Sequence, residues 1–506
     1  MRLAERMSPR EVDLRMNRGT HMAGTKRKKS KAASPAKPAA RAKQVREAAG
    51  SAPVPAHLHT RADRDAAGRA LRSSVAREDH ASFSPAAPRR DPVDILLEDS
   101  KGRVERLVPI RYGRMVASPF AFFRGTAGIM AADLADTPSM GYLVQSCGDC
   151  HLMNFGAFAT PERRVIFDIN DFDETYPAPW EWDLKRLATS FVIASLANGH
   201  SRADAKEAAR SVVQHYAAEL RELAGKTVLD AWYSYLDYNE LIELTEDTVL
   251  KKRRKQVLRQ AMERTATKEF VKLGHFVDGQ PRIREAPPLV YHPSEDEEAG
   301  FSDVIVQNFA LYRESLPPDR RALYDRYELT DVAMKVVGVG SVGLVCAIGL
   351  FFASEGDVLF LQVKQVGTSV LQPASGESQY ASHGERVVYG QRLMQAASDV
   401  FLGHMVGVRG RHFYVRQLRD VKVRPMVEIF TPANMRGFAR NCAWALARAH
   451  ARSGDPAIIS GYIGSGTVFA DALAQFSMAY AEQNDRDHAR LVEAVRDGTV
   501  EATFQD

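Results

Sequence analysis

The feature that most restricts the fold of this chain is a run of 19 residues without a charged side chain, residues 336–354. Its length is close to that of a membrane-spanning helix. However, it contains glycines at 338, 340, 343 and 349 and many β-branched residues, and a turn and another apolar run follow it directly. Two strands on either side of a glycine loop explain this pattern better than one helix. We therefore predict β-structure here and no membrane span.

The glycines of this run have the spacing Gly338-x-Gly340-x-x-Gly343. Such a loop lets the backbone approach a phosphate closely, in a dinucleotide-binding turn or in a kinase-type nucleotide loop. The dinucleotide-binding turn needs a helix directly after it, whereas residues 344–352 are strand-like. The pattern therefore favours a nucleotide loop that connects two strands.

The next predicted strand ends in Gln362-Val363-Lys364. A strand, a glycine loop, a second strand and a third strand that ends in lysine is the order found in protein kinases, where the lysine holds nucleotide phosphates. Its partner there is a glutamate on the following helix. Glu385, which opens the helical residues 384–402, is the candidate.

A second group of polar residues lies about two hundred residues earlier. Residues 147–154 read Cys-Gly-Asp-Cys-His-Leu-Met-Asn, and residues 165–174 read Val-Ile-Phe-Asp-Ile-Asn-Asp-Phe-Asp-Glu. An aspartate and an asparagine on a tight loop, with a further aspartate beyond an apolar strand, can serve a divalent metal and a hydroxyl nucleophile. The catalytic candidates are Asp149, His151 and Asn154, and the candidate metal ligands are Asn154, Asp171 and Asp173.

Alternatives for these residues stay open. Asp168 is an alternative to Asp171 as metal ligand, and the acidic residues 168–174 can also form a solvated turn. His151 is either catalytic or holds the loop by bonding to its backbone. Cys147 and Cys150 form a C-x-x-C, but no second cysteine pair accompanies them, which disfavours a zinc or redox site.

Three elements in register resemble aminoglycoside-phosphotransferase-type kinases. Gly148-Asp149-x-His151-x-x-Asn154 resembles their catalytic loop, Asp171-Phe172-Asp173 resembles the strand end that supplies their Mg²⁺ ligand, and residues 182–188 resemble the helix that follows. The resemblance implies ATP and Mg²⁺ as cofactors and Asp149 as the group that orients or deprotonates an acceptor hydroxyl. One departure is Cys147, where those kinases have a histidine.

The order of these elements differs from that of ordinary kinases, because Asp149 and Asp171 precede Lys364. Residues 444–451, Trp-Ala-Leu-Ala-Arg-Ala-His-Ala, resemble the helix that comes shortly before the catalytic loop in small-molecule kinases. Chain termini that lie close together make circular permutation feasible. We therefore predict a circularly permuted kinase-like fold.

Across residues 91–500 the chain also resembles the bacterial DUF2252 family. That family carries the motifs R-x-x-R-M-x-x-S-P-F-x-F-x-R-G, C-G-D-x-H-x-x-N-F-G, N-D-F-D-E and W-D-L-K-R-L, and Cys147 fits its pattern. In this chain the motifs lie at residues 111–125, 147–156, 170–174 and 182–187. The resemblance implies no settled activity. Arg111, Arg114 and Arg124 in the first motif supply positive charge at the cleft or serve the structure.

The charge of the chain is distributed unevenly. Residues 1–90 carry 21 Lys and Arg against 8 Asp and Glu, a net +13, which leaves −8 for residues 91–506 of a chain with a total of +5. The first 90 residues have no sustained apolar period, and we interpret them as a disordered basic tail that is solvated or contacts anionic partners. We expect no specific nucleic-acid binding by the body. Four cysteines and the lack of an apolar signal segment predict a cytoplasmic protein.

Together these patterns predict an α/β (α+β) protein with a kinase-like, two-lobed architecture. The expected units are the tail (1–90), a helical lobe with the catalytic loop (91–330), a β-rich nucleotide-binding lobe (331–425) and C-terminal helices that complete the helical lobe (426–506). The expected activity is ATP- and Mg²⁺-dependent phosphoryl or nucleotidyl transfer to an unknown small-molecule or protein acceptor. The alternatives are a non-catalytic nucleotide-binding pseudokinase or scaffold and a dinucleotide-binding oxidoreductase.

Overall fold

The computed structural model describes residues 60–83, 88–263, 266–294, 300–336, 338–353, 356–418 and 421–504. The α-helices within them are α1 (Arg61–Ala70), α2 (Pro92–Asp99), α3 (Val108–Val116), α4 (Pro119–Phe123), α5 (Ala127–Leu134), α6 (Trp180–Ala197), α7 (Arg202–Leu223), α8 (Val228–Tyr233), α9 (Tyr238–Glu243), α10 (Thr248–Met262), α11 (Ala266–Leu273), α12 (Phe301–Ser315), α13 (Pro318–Tyr324), α14 (Gln372–Ser375), α15 (His383–Met394), α16 (Pro432–Ser453), α17 (Pro456–Ile463) and α18 (Thr467–Arg496). The strands are β1 (Leu143–Ser146), β2 (Phe155–Ala159), β3 (Val165–Ile169), β4 (Tyr176–Pro179), β5 (Leu236–Asp237), β6 (Gly274–Val277), β7 (Gln280–Ile283), β8 (Val290–Tyr291), β9 (Glu328–Lys335), β10 (Cys346–Phe352), β11 (Val358–Gln365), β12 (Gly403–Val406), β13 (His412–Gln417) and β14 (Lys422–Val423).

The strands form several antiparallel sheets. The largest has six strands in the order β12-β13-β11-β10-β9-β8, and a second has four strands in the order β14-β2-β3-β5. Every strand pair of the described residues is antiparallel. The combination of many helices with antiparallel sheets confirms the predicted mixed α and β class.

The described residues of the uncharged run, 336 and 338–353, contain no helix. Its glycine loop connects β9 to β10, and β10 pairs with β11 from Cys346 opposite Lys364 to Phe352 opposite Val358. The predicted strand–loop–strand–strand order is therefore confirmed. Among the described residues, no single helix is both long and apolar enough to cross a membrane; α17 and α18, bent by 83° at their junction, satisfy that test only as a pair.

The spacing of apolar residues over 201–224 predicts an amphipathic helix capped by Ser201, and the structure contains this helix as α7. The side chain of Ser201 caps α7 by accepting a hydrogen bond from the Asp204 amide at 3.1 Å. The predicted apolar stripe, which includes Val212, Val213 and Tyr216, is fully buried. A capped helix with one continuous apolar face is stabilised mainly by burial of that face, which is why this element could be predicted closely.

The interpretation of residues 1–90 as a disordered tail is wrong for residues 60–83. Residues 61–70 form α1, although only Gly68 of this helix is buried. A Cβ atom on Gly68 would lie 2.0 Å from the carbonyl oxygen of Ile458, and one on Gly461 would lie 2.2 Å from that of Asp65. The two helices α1 and α17 therefore cross by direct backbone contact, which leaves no apolar period in the sequence. Residues 1–59 lie outside the described part of the chain.

Two short strands correct the predicted boundaries between the units. β8 precedes residue 331, but its Val290 pairs with Lys335 of β9 in the six-stranded sheet. β14 follows that sheet, but its Val423 pairs with Ala157 of β2. Helix α12, also before residue 331, packs Phe309 against Phe351 of β10 with ring centroids 5.0 Å apart. The β-rich part thus begins before residue 331 and ends before residue 425.

The end of α16 lies against the beginning of β1, although the two are far apart in the chain. The Gln145 amide donates to Ser453 Oγ at 2.9 Å across a separation of 308 residues. The Asp455 amide donates to the hydroxyl of Tyr142 at 2.8 Å. The helix that resembles the one before a kinase catalytic loop therefore ends beside the strand that leads into residues 147–154.

Candidate active site

The loop 147–154 follows β1 and is fixed by an aspartate of α6. Asp183 accepts the amide of Cys147 at 2.7 Å on Oδ2 and the amide of Gly148 at 3.0 Å on Oδ1. Gly148 has a φ of 81°, and a Cβ atom there would lie 2.5 Å from the Glu174 carbonyl oxygen. Only glycine fits this turn without strain. The buried carboxylate thus fixes the course of the loop.

The same aspartate connects the loop to α16. His450 Nε2 lies 3.3 Å from Asp183 Oδ2, and the other ring nitrogen lies 2.8 Å from the hydroxyl of Tyr216 on α7. His450 is completely buried. Two elements that resemble kinase motifs, residues 182–188 and 444–451, therefore meet at the base of the loop.

Asp149 is surrounded by cationic and amide groups. Arg186 Nε donates to Asp149 Oδ1 at 2.8 Å, and Asn154 Nδ2 donates to the Asp149 carbonyl oxygen at 2.8 Å. Burial opposes ionisation, but the charge and hydrogen bonds of Arg186, together with the charge of Arg124, outweigh it and hold the pKa of Asp149 below its usual range. Asp149 is therefore an ionised hydrogen-bond acceptor at neutral pH.

His151 lies beside this carboxylate and is buried. Its Nε2 is 3.7 Å from Asp149 Oδ2. Burial lowers the pKa of His151 to about 4, which the charge of Asp149 only partly opposes. The imidazole is therefore neutral at physiological pH, and its position next to Asp149 suits a positioning role as well as a catalytic one.

Asp173 carries the contact that joins the two predicted halves of the site. Lys364 Nζ, 191 residues further along the chain, hydrogen-bonds to Asp173 Oδ2. Ser341 of the glycine loop donates to the same oxygen at 3.3 Å, and the hydroxyl of Tyr414 donates to Oδ1 at 2.9 Å. Burial alone would raise the pKa of Asp173, but Lys364 outweighs it and lowers that pKa.

Asp171 differs from Asp173 in having few partners. Within the described residues its carboxylate accepts one hydrogen bond, from the Asp173 amide at 3.3 Å. Burial and the neighbouring charge of Asp173 raise the pKa of Asp171, although Lys364 opposes them. The Asp171 carboxylate is half-buried, and a desolvated carboxylate with so few donors is costly unless a cation neutralises it.

The donor set fits Mg²⁺. Because the Nδ2 of Asn154 donates to a backbone carbonyl, its Oδ1 is left as an acceptor. Asp171 supplies a carboxylate with little else to bind, and hard oxygen ligands of this kind are those that Mg²⁺ takes. Asp173 is committed to Lys364, Ser341 and Tyr414, so its part as a ligand stays a prediction.

The glycine loop is fastened over these carboxylates by two arginines. Arg103 donates to the Gly340 carbonyl oxygen at 2.8 Å, and Arg114 donates to that of Gly338 at 2.6 Å. Gly338 and Gly343 have φ angles of 70° and 87°, which other residues rarely adopt. Arg103 and Arg114 are therefore structural supports of the loop.

A cavity of about 510 Å³ opens between the loop and the carboxylates. Its wall includes the glycine loop, the last residue of β11 with the three residues after it (365–368), and residues of the loop 147–154 and of the segment that follows β3. The structure thus brings Asp149, His151, Asn154, Asp171 and Asp173 together with Gly338 and Gly340 around one space, with Lys364 bonded to its edge.

The placement of Glu385 as the partner of Lys364 is wrong. Glu385 lies in the first turn of α15, and its carboxylate turns back to accept the Ala381 amide at 2.9 Å. The next residue, Arg386, faces the site instead and donates to the carbonyl oxygen of Asp173 at 2.9 Å. The orientation of α15 about its axis therefore turns Arg386, and not Glu385, toward the site. The partner of Lys364 is Asp173.

Asp168 lies outside the cavity and is a structural residue. Arg448 Nη2 donates to both of its oxygens at 2.8 Å, and the Ala396 amide donates to Oδ2 at 2.7 Å. Both side chains are almost completely buried. With its carboxylate fully occupied, Asp168 does not compete with Asp171 for a ligand.

The sulfur atoms of Cys147 and Cys150 and the carboxylate of Asp183 lie within 4.8 Å of one another. Burial raises the pKa of Cys150 to about 11 and that of Cys147 well above its usual range. A metal needs thiolates, and Asp183 already binds two amides. The cluster therefore holds the loop and has the chemistry of protonated thiols.

Sequence analysis missed Tyr414 and Arg186 as site residues, and it missed Arg416, whose positive charge favours the ionised forms of Asp171 and Asp173. Tyr414 lies directly opposite Lys364 in the pairing of β13 with β11. Tyr414 and Arg416 alternate along β13 and so share a face, a signal that the sequence His-Phe-Tyr-Val-Arg-Gln contains. Arg186 follows Asp183 by three residues on α6, within one helical turn.

The glycine loop is followed by β10 and not by a helix, so the dinucleotide-binding interpretation lacks the element that it requires. The model of one protein family, described as an uncharacterized protein conserved in bacteria (DUF2252), matches residues 103–494. No curated protein and no solved structure matches the chain.

Proposed function

This chain belongs to the DUF2252 family, and we propose that it is a kinase-like enzyme that transfers a phosphoryl group, or a nucleotidyl group, from ATP to an acceptor in a Mg²⁺-dependent reaction. The observation that carries the proposal is the contact between Lys364 and Asp173 beneath the glycine loop, in the cavity wall that also holds Asp149 and Asp171. Phosphoryl transfer depends mainly on positioning and charge, and these residues supply both.

Each group has a task in the proposed reaction. Lys364 binds the phosphates of the nucleotide, and the glycine loop covers them with its backbone amides. Asn154 and Asp171 would hold Mg²⁺, which supplies positive charge to the phosphate oxygens when it is bound. Asp149 accepts a hydrogen bond from the acceptor hydroxyl and so directs it at the phosphorus.

The transfer itself breaks the bond between the γ-phosphorus and the oxygen of ADP and forms a bond to the acceptor oxygen. The proton of the acceptor hydroxyl leaves toward Asp149 and then to solvent. Because the pKa of Asp149 is held low by Arg186 and Arg124, it is a weak base that orients the hydroxyl more than it removes the proton early. This fits a loose transition state, in which the nucleophile needs little activation.

A circularly permuted arrangement is part of the same proposal. Ser453 and Asp455 lie beside Gln145 and Tyr142. A short connection from the end of α16 to the start of β1 would therefore place the glycine loop and the lysine before the catalytic loop and the metal site. This is the order of ordinary kinases. Helix α16 would then lead directly into the loop 147–154, as the resemblance of residues 444–451 predicts.

The experiment measures transfer from γ-labelled ATP with Mg²⁺ and the melting temperature with a non-hydrolysable ATP analogue. We expect the analogue to raise the melting temperature of the wild type. Asp171→Asn should lower transfer about a hundredfold or more. Asp471→Asn, which changes an exposed carboxylate on α18, is the matched control and should behave like the wild type. Failure of the analogue to bind would refute the proposal.

A non-catalytic nucleotide-binding protein is the second candidate, favoured by the internal pairing of two key groups. Asp149 is bound by Arg186 and Lys364 by Asp173. If the analogue binds but neither ATP turnover nor self-labelling occurs in any variant, this candidate replaces the enzyme.

A further inference from the structure

Most arginines near the cavity are committed to the protein. Arg103 donates to the carbonyl oxygens of Gly340 and Val342. Arg111 is almost completely buried and donates to Ser100 Oγ at 3.0 Å and to the Gly125 carbonyl oxygen at 3.3 Å. Since carbonyl oxygens and hydroxyls hold these guanidinium groups in place, Arg103 and Arg111 fasten the helices α2 to α5 to the glycine loop.

Arg124 lacks such partners. Its guanidinium makes no hydrogen bond or ion pair with another residue in the described ranges, and its Nε is buried without a partner. A desolvated guanidinium with no acceptor is costly, and the cost is recovered when an anion binds. Arg124 is half-buried, and among the arginines of the cavity wall discussed above it is the one whose guanidinium has no protein partner within the described residues and so can take a ligand.

The position of Arg124 points to what that ligand is. Its carbonyl oxygen lies 3.6 Å from a Cβ atom placed on Gly340, so its backbone borders the glycine loop. Its side chain lines the same cavity as Asp149. Burial lowers the pKa of Arg124, and the charge of Asp149 is the largest influence that opposes this. The residue therefore spans the space between the phosphate-covering loop and the acceptor-orienting carboxylate.

We propose that Arg124 binds a phosphate dianion between the glycine loop and Asp149, as a catalytic residue whose planar guanidinium grips two phosphate oxygens at once. This rests on the proposed function for its context. The dianion has two possible sources with the same chemistry, the terminal phosphate of the nucleotide or a phosphate group carried by the acceptor.

The test uses the full-length protein with Mg²⁺ and measures the affinities of four probes by calorimetry. The probes are ADP, a non-hydrolysable ATP analogue, inorganic phosphate added to ADP-saturated protein, and inorganic tripolyphosphate. The variants are Arg124→Gln and Arg124→Lys, and Arg202→Gln is the matched control, because Arg202 is an exposed arginine that pairs with Glu482. Should Arg124→Gln fail to fold, Arg124→Lys is decisive, since it keeps the charge and loses the two-pronged grip.

We expect Arg124→Gln to weaken the ATP analogue about tenfold or more and to leave ADP within twofold, with a smaller loss in Arg124→Lys. That result assigns the dianion to the nucleotide. If nucleotide affinities stay unchanged but inorganic phosphate no longer binds the ADP-saturated variant, the dianion belongs to the acceptor. Equal affinities of all four probes in the wild type and both Arg124 variants would overturn the inference.

The same measurements separate this inference from the proposed function. If the wild type binds ADP and the ATP analogue and the affinity of none of the four probes depends on Arg124, the nucleotide site stands and the role of Arg124 is refuted. If tripolyphosphate binding depends on Arg124 but no nucleotide binds, the anion site stands and the proposed function fails. A wild type that binds none of the probes refutes both.

Discussion

Two buried pairs of opposite charge lie only five residues apart on the same stretch of chain and differ in their surroundings. Asp168 pairs with Arg448 across 280 residues, and Asp173 pairs with Lys364 across 191 residues. The first pair is sealed, with side-chain exposures of 1% and 0%, whereas the Asp173 side chain is 17% exposed and lines the cavity.

The acidic residues 168–174 therefore include both a sealed carboxylate that supports the structure and carboxylates that line a cavity. Asp168 has its oxygens filled by Arg448 and by the Ala396 amide, so it cannot exchange a partner. Asp173 lies in the cavity wall next to Asp171, whose carboxylate has few donors. Both residues are aspartates, so the difference between them lies in access to the cavity, which Asp173 has and Asp168 lacks.

The largest effect should come from breaking the sealed pair. Arg448→Met leaves the buried Asp168 without its cation, and we expect the free energy of unfolding to fall by about 3–5 kcal/mol. Chemical denaturation measures this. The double variant Asp168→Asn with Arg448→Met should recover part of the loss, because it removes the unpaired charge. A loss below about 1 kcal/mol in Arg448→Met would show that the pair is not structural.

A change at the cavity should alter the pH dependence of stability instead. Burial raises the pKa of Glu174, next to Asp173, from its ordinary value of 4.5 to about 7. Between these values the folded state binds more protons than the unfolded state, so the free energy of unfolding falls as the pH rises through this window. Glu174→Gln should remove this fall and gain on the order of 1–3 kcal/mol at pH 8 relative to the wild type.

The comparison for Glu174→Gln is with the wild type at pH 4.5, where both carry an uncharged side chain and should be equally stable. Melting curves from pH 4.5 to 8 give both values. A variant that is destabilised to the same extent at every pH would mean that Glu174 acts through a hydrogen bond, such as the one from the Val370 amide at 2.8 Å, and not through its charge.

The smallest effect should come from Tyr414, which hydrogen-bonds to Asp173 in the pair that borders the cavity. Tyr414→Phe removes the hydrogen bond to Asp173 Oδ1 and keeps Lys364 in place. We expect a loss of about 1 kcal/mol in the free energy of unfolding, measured by denaturation. A loss near that of Arg448→Met would place Asp173 with the structural residues and remove the contrast between the two pairs.

The parts of the site that sequence analysis predicted are those with a local signature. The glycine loop lies between β9 and β10 as its spacing predicts, and the strand that ends in Lys364 follows. The loop 147–154 and Asp171 reach the same cavity, because short motifs fix backbone turns and strand ends. Their meeting with Lys364 followed only from the resemblance to kinases, since nothing local encodes a contact across 191 residues.

Other features depend on three-dimensional details that a sequence pattern does not carry. Glu385 and Arg386 are neighbours, and the phase of α15 decides which one faces Asp173. Helix α1 packs through Gly68 against the backbone of α17, so it has no apolar stripe to detect. Close backbone contact and helix phase are set by the partner element, which pattern analysis of one segment cannot include.

The contact between Asp168 and Arg448 also has a consequence in time. The two residues are 280 positions apart, and at about 5–20 residues per second a ribosome needs roughly 14–56 s to make the chain between them. During that interval strand β3 is complete but its buried carboxylate has no cation. Contacts of such long range are also slow to form. The segment that carries Asp171 and Asp173 is therefore made early and reaches its final contacts late.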